Sequence, residues 1–388
     1  MRITRVSATW LHVPIPAERQ HVSDYGRATS FDSTLVRVET DSGITGFGEA
    51  RGALPSTGNC ASLVTHIERD LGPMLVGHDP RDISRLWELM YSGTRAHFAL
   101  ARGHVFPVLG RRGLNLQAIS GIDMALWDIL GKSLGAPVWR LLGGRRQERM
   151  PAYASGGWAP PERIADELRG YIERGGFKAV KMRVGSADGT LQMSIKRVRA
   201  ARAGLGEDVD IFCDAHGTWT VAEARQFCRA VEDCRIGWLE EPVTGDDKRG
   251  MAEVRAGTTI PIAAGECEMT RFDFRDLVEQ RAVDILQPDL AICGGISEGL
   301  RIEALASAHQ LRFAPHLWGG ALLFASGMHV ASVAASGFIL EYSLGANPLL
   351  HELAQEPFEP VDGCIEIPDR PGLGVGIDEH FVRRYAMQ

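Results

Sequence analysis

Hydrophobic and polar positions change rhythm twice along the chain. Up to about residue 48 they alternate. "RITRVSATWLHV" and "STLVRVETDSGITGFGEA" read as strands, the latter folded at its "TDSG" turn, with the polar stretch "PAERQHVSDYGRATSFD" between them. From about 60 to 145 the spacing is helical. In "LNLQAISGIDMALWDILGKSLG", Ile119, Ile122, Ala125, Leu126, Ile129 and Leu130 share one stripe and Gly135 ends the run. Beyond Met150, short apolar runs alternate with amphipathic helices such as "PPERIADELRGYIERG" and "VAEARQFCRAVEDC". The runs are "MPAYASG", "AVKMR", "DIFCDAH", "IGWLEEP", "PIAAGE", "VDILQPD", "RFAPHLW" and "FILEYS". Strand followed by helix, repeated, is the signature of a parallel sheet, and eight repeats predict a closed (β/α)8 TIM barrel.

Length fits that reading. The 388 residues exceed the roughly 250 of a typical barrel, which leaves an N-terminal α+β segment and a C-terminal return. A formal net charge of −7 provides no basic surplus for a nucleic-acid backbone or an anionic membrane, so neither is an expected partner. No apolar run approaches the roughly 20 residues of a membrane span, and the N-terminus alternates like a strand, so the expected location is cytoplasmic. The seven cysteines are scattered without CxxC spacing, which suggests neither a disulfide framework nor a zinc site.

In a barrel the chemistry sits at the C-terminal ends of the strands. Those ends carry Lys181 and Arg183, Asp214 and His216, Glu240, Glu266, Asp289, His316 and Glu341, at intervals of 23 to 31 residues, close to one strand–helix unit each. Strand alternation puts Lys181 and Arg183 on one face, opposite Val180 and Met182, so anions must stand across from the two cations. Asp214, Glu240 and Glu266 would repel one another unless a cation lay between them, and an all-oxygen set favours Mg²⁺ over zinc. Pairing of these acids with Lys181 and Arg183 alone is the other reading of the same pattern. Glu241 alternates away from Glu240 and is expected to be structural. Asp289 and His316 fall on adjacent strands, where a carboxylate can orient an imidazole as a base or merely satisfy it.

Taken together, Lys181-Met-Arg183, "DAHG" at 214, "EEP" at 240, "GE" at 265, "QPD" at 287, "PHLWG" at 315 and "LEY" at 340 resemble the mandelate racemase subgroup of the enolase superfamily, as do "GIDMALWDILGK" and "IPDRPGLGVGID". The resemblance implies a modified barrel, (β/α)7β, beneath an α+β capping domain. Residues 1–130 would form the cap, 131–355 the barrel and 356–388 a segment returning to the cap. It also implies an essential Mg²⁺ held by Asp214, Glu240 and Glu266, and a homo-oligomer acting on a small carboxylate. Abstraction of the proton next to a carboxylate creates an enediolate, whose charge needs cations. Lys181 would then face the substrate carboxylate, the His316–Asp289 dyad would act at the α-carbon, and Glu341 would be a protonated hydrogen-bond donor or else the partner of a rim cation.

One position departs from the family pattern. Racemases of the subgroup carry Lys-x-Lys, whereas the second cation here is Arg183, which stays protonated and is a poor base. A site with one base suits loss of a β-leaving group, as in the acid-sugar dehydratases of the subgroup, which yield a 2-keto-3-deoxy acid. His216 would protonate the departing hydroxide, or else only order the metal shell. An aldarolactone cycloisomerase, which "LWGG" and the C-terminal strip resemble, and a 2-hydroxy-acid racemase or epimerase are the alternatives. A catalytically retired barrel would need a lost ligand or a broken dyad, and the sequence has neither. Cap loops at 20–30 and 49–59, with Asp24, Tyr25, Arg27 and Arg51, are expected to meet the rest of a hydroxylated substrate.

Overall fold

The computed structural model describes the chain except residues 21, 25, 53–58, 104–109, 346 and 388, and except the side chains of 23, 96, 97 and 100. Strands β1 (Ile3–Pro14), β4 (Ser30–Thr40) and β5 (Thr45–Ala50) form an antiparallel sheet in the order β1-β4-β5, with the β4–β5 turn at the "TDSG" site. Two short strands, β2 (Val22–Ser23) and β3 (Gly26–Arg27), pair between them.

The Leu114–Leu134 helix lies against this sheet and ends at Gly135 in a left-handed cap. The sequence predicts one apolar stripe, but the helix is buried on nearly all sides from Asn115 to Ile129. The cause is a second neighbour. Its opposite side meets the barrel helix Gly295–Ala308, where Asp123 accepts hydrogen bonds from the Ser297 N–H (2.9 Å) and hydroxyl (2.6 Å). A helix packed on two sides needs no wide polar face.

The eight predicted runs become β6 (Arg149–Gly156), β7 (Ala179–Arg183), β8 (Asp210–Asp214), β9 (Ile236–Glu240), β10 (Ile262–Ala264), β11 (Ile285–Leu286), β12 (Arg312–Phe313) and β13 (Leu340–Ser343). They lie in the order β12-β11-β10-β9-β8-β7-β6-β13 with parallel neighbours, and Phe313 also bridges Gly337 just ahead of β13. Each of the first seven strands is followed by a helix of nine or more residues, whereas β13 is followed only by the short Pro348–His351 turn of helix. This is the (β/α)7β arrangement. A last strand, β14 (Cys364–Glu366), adds antiparallel to β6, and the Glu379–Tyr385 helix returns to β1.

Alternation builds the barrel in layers. Tyr153, Ala179, Phe212, Trp238, Ala263, Ile285, Ala314 and Ile339 form one inward cluster. Three large rings set among alanines and isoleucines fill the floor, with Phe212 and Trp238 stacked and Tyr153 edge-on to both. Two residues further along the strands come Lys181, Asp214, Glu240, His316 and Glu341. Their outward neighbours Val180, Met182, Cys213 and Leu239 belong to the outer core with the helices. No described helix is long and apolar enough to cross a membrane.

Candidate active site

Lys181 is 3% exposed, and its ammonium has three carboxylates around it: Glu240 at 2.8 Å, Glu341 at 2.9 Å and Asp214 at 3.6 Å. Burial alone would lower its pKa, but these anions outweigh burial and hold it well above the usual value. Arg183 Nη1 lies 2.7 Å from Asp214 Oδ2. The anions that the two cations require therefore stand on β8, β9 and β13, and both residues face inward as alternation predicts.

Asp214, Glu240 and Glu266 each offer an oxygen within 4.8 Å of the others. Three carboxylates this close form a hard-oxygen donor set that fits a divalent cation. Their pairing with Lys181 and Arg183 is present too, so the two readings of these acids coexist. Glu240 is oriented from below: its Oε2 accepts hydrogen bonds from Trp238 Nε1 (3.1 Å) and Gln287 Nε2 (3.0 Å). Sequence reading missed Gln287, although it stands two residues before Asp289 and so on the same strand face.

Alternation fails at two acids, each for a backbone reason. Counting from Ala263, residue 266 should point outward. Gly265, at φ +137°, breaks the run, and Glu266 reaches His216 and His316. A Cβ there would lie 2.6 Å from the Phe274 ring, so only glycine makes this turn. Glu241, expected to face away, is corrected by its own left-handed backbone (φ 38°). It is buried and lines, with His216, Lys248 and Glu268, a cavity of about 570 Å³. Burial and the neighbouring charges of Glu266 and Asp214 push its carboxyl well above the usual range.

The two histidines meet at Glu266. His316 donates from Nδ1 to Asp289 Oδ2 at 2.9 Å, and its Nε2 lies 3.6 Å from Glu266 Oε2. His216 donates from Nδ1 to Asp24 Oδ2 at 2.5 Å, and its Nε2 lies 3.2 Å from Glu266 Oε1. His216 sits in a left-handed turn beyond the end of β8 (φ 51°), where its N–H donates to Asp214 Oδ1, so a turn and not strand alternation aims it. Burial disfavours the imidazolium in both rings, but the carboxylates prevail. Glu266, Glu341 and Asp289 raise His316 to about 9, and Asp24 and Glu266 raise His216 to about 11.

Of the two readings of Glu341, the structure has the partner of a rim cation. Burial would raise its carboxyl, yet Lys181, His316 and the Leu317 N–H hold it well below the usual carboxylate range, so without substrate it is the ionised partner of Lys181. Two of the cap residues reach the barrel rim. Asp24 contacts His216, and Arg51 Nη1 lies 2.6 Å from Asp289 Oδ2, so both engage side chains of the barrel rim. Arg27 is exposed on β3, and Tyr25 lies outside the described residues, as do 53–58 of the second loop.

A (β/α)7β barrel carrying three clustered acids, an inward lysine and a His–Asp pair at its mouth, under an α+β cap, defines a class. The chain belongs to the mandelate racemase/muconate lactonizing enzyme family of the enolase superfamily. Residues 6–143 match that family's N-terminal domain, and residues 163–381 match the enolase C-terminal domain-like family. It is 35% identical to D-galactarolactone cycloisomerase from Agrobacterium fabrum, covering 96% of this chain and 99% of that protein. It is 37% identical to D-galactonate dehydratase from Verminephrobacter eiseniae over 90% of this chain and 89% of that one. Among solved structures it resembles a racemase from Streptomyces coelicolor with bound magnesium, at a TM-score of 0.86 and 30% identity, covering 99% of this chain and 100% of that one.

Proposed function

We propose that the protein is an acid-sugar dehydratase. The observation that carries this reading is the pair of imidazoles whose Nε2 atoms meet the two oxygens of Glu266, each with its Nδ1 bonded to a carboxylate. His316 Nε2 takes the proton α to the substrate carboxylate, and the electron pair moves onto the carboxylate oxygens. Lys181 and Arg183 offset that charge. The pair then returns to form the α,β double bond as the β-carbon–oxygen bond breaks, and His216 Nε2 gives its proton to the leaving hydroxide as water. The enol tautomerises to a 2-keto-3-deoxy acid. Glu341, once protonated, hydrogen-bonds a carboxylate oxygen of the substrate.

Asp214, Glu240 and Glu266 would hold Mg²⁺, which supplies charge stabilisation to the enediolate oxygens and cancels carboxylate charge that keeps His316 protonated. The substrate is a small hydroxylated carboxylate. A cytoplasmic homo-oligomer, with its cap, barrel and return segment divided near 130 and 355, belongs to the same reading.

A second reading has a specific support, the 35% identity to a galactarolactone cycloisomerase over 96% of the chain. There the same base takes the α-proton and the leaving oxygen is that of a lactone. Incubating the Mg²⁺-supplemented protein with aldonic and aldaric acids and their lactones, D-galactonate, arabinonate and D-galactarolactone included, separates the two. A carbonyl-trapped 2-keto acid formed from an open-chain acid supports dehydration. Turnover of lactones alone favours cycloisomerisation, and interconversion of α-epimers without a keto product returns racemisation.

A further inference from the structure

Asp24, between β2 and β3, and Arg51, just past β5, both lie beyond the same end of the capping sheet and reach the two histidines by different routes. Asp24 bonds His216 directly. Arg51 acts one step further back, because its guanidinium shares Asp289 Oδ2 with His316 Nδ1. Asp289 Oδ1 accepts the Ala291 N–H at 2.7 Å, so both oxygens of this fully buried carboxylate are engaged and its plane is held. The cap is bolted to the barrel two residues before Arg51. Glu49, 2% exposed, accepts the N–H groups of Gly320 (2.7 Å) and Leu323 (3.0 Å) and the Ser33 hydroxyl (3.0 Å).

The barrel leaves room for this approach. A Cβ at Gly319 would lie 3.2 Å from Glu49 and 3.3 Å from Arg51, and one at Gly320 only 2.7 Å from Glu49 Oε2. The glycine pair of "LWGG" is thus the seat of a cap carboxylate and the passage for a cap arginine. It follows His316 within four residues, so the loop that carries this imidazole also docks the residue that locks its partner.

We propose that Asp24 and Arg51 are positioning residues through which the capping domain fixes the two histidines, Asp24 by holding His216 and Arg51 by locking Asp289 behind His316. The task of each histidine rests on the acid–base reading above. An imidazole whose Nδ1–H is held by a fixed carboxylate presents Nε2 in one tautomer and one direction, which proton transfer requires. Cap docking and assembly of the acid–base pair are thus one event.

The test uses full-length protein with Mg²⁺ and ¹⁵N-labelled histidine, with signals assigned by His216→Asn and His316→Asn. In Arg51→Met the Nδ1–H resonance of His316 should shift or broaden and that of His216 stay. In Asp24→Asn the pattern should reverse. If neither resonance responds, or both respond alike in each variant, the proposal is overturned whatever reaction the site performs. With whichever of D-galactonate, arabinonate or D-galactarolactone turns over, Arg51→Met should lower α-proton exchange and product formation together, by about 10- to 100-fold at little-changed KM. Arg51→Lys should recover part of that loss. Asp24→Asn should slow product formation while exchange persists. A raised KM at unchanged kcat in either variant would make that residue a substrate contact instead. Failure of every substrate would count against the dehydratase reading alone, since the resonances judge the positioning roles separately.

Discussion

Arg183 faces Asp214 at 2.7 Å, and the negative charges around it, Asp214 foremost, outweigh burial and keep it cationic. A permanently charged group at this place stabilises anions but does not take protons. The wild-type enzyme should therefore exchange the α-proton with D₂O from one face only, that of His316. Arg183→Lys should gain weak exchange from the other face while dehydrating more slowly. Comparable wild-type exchange from both α-epimers, followed by NMR, would restore a two-base racemase. Glu240 tests the metal assignment. Glu240→Gln preserves shape and can still accept from Trp238 and Gln287, but it removes one of three anionic donors, so Mg²⁺ affinity should fall by about 100-fold or more and turnover with it. Calorimetric titration showing wild-type affinity in a folded variant would move the metal elsewhere.

The Ala321–Val333 helix is enclosed almost throughout and carries one histidine. His329 accepts the Trp139 N–H at Nδ1 (3.3 Å) and donates from Nε2 to the Leu373 carbonyl (3.2 Å), so it is a neutral strut between the barrel, the segment after the cap helix and the C-terminal return. Burial lowers its pKa to about 4 from 6.5. As pH falls below 6.5 the unfolded chain takes up a proton that the folded one refuses until about 4, so stability conferred by the neutral ring is lost across that window. The difference corresponds to about 3 kcal/mol. Urea unfolding at pH 7 and near pH 4 should show the wild type losing up to that much more than His329→Gln. Equal acid losses in the two proteins would show that this ring does not set the response.

For the whole molecule, cap and barrel are joined by buried polar contacts. Asp123 binds Ser297, Trp87 donates to the Gly294 carbonyl at 2.8 Å, and Glu49 caps the start of the Ala321–Val333 helix. Such contacts are directional, so they set the angle of docking as well as its strength. Gly320→Ala tests this without replacing a charged residue. Its methyl would press on Glu49, and unfolding free energy should fall by about 1–3 kcal/mol. Turnover should fall further than that loss of folded protein explains, because Arg51 follows Glu49 by two residues. A variant with wild-type stability and rate would mean that the cap tolerates a shifted seat.

The departure at Arg183 is legible only against the family resemblance, but the sequence alone determined the strand–helix count, the identity of the barrel strands and the inward row of Lys181, Asp214, Glu240, Asp289, His316 and Glu341. Each follows from a period of two within a strand or a near-constant interval between strands, and both are local properties of the chain. Tertiary structure decided what periodicity cannot carry. Glu241, Glu266 and His216 are aimed by positive-φ backbone at or beside them, which cancels alternation. The Leu114–Leu134 helix is buried on its second side by a barrel helix over 150 residues away in sequence. Asp24 meets His216 and Arg51 meets Asp289, the partner of His316, at separations of 192 and 238 residues. Only the docked fold brings such charges together, and their burial there makes each pairing obligatory: a charge removed from water must find its partner across the interface.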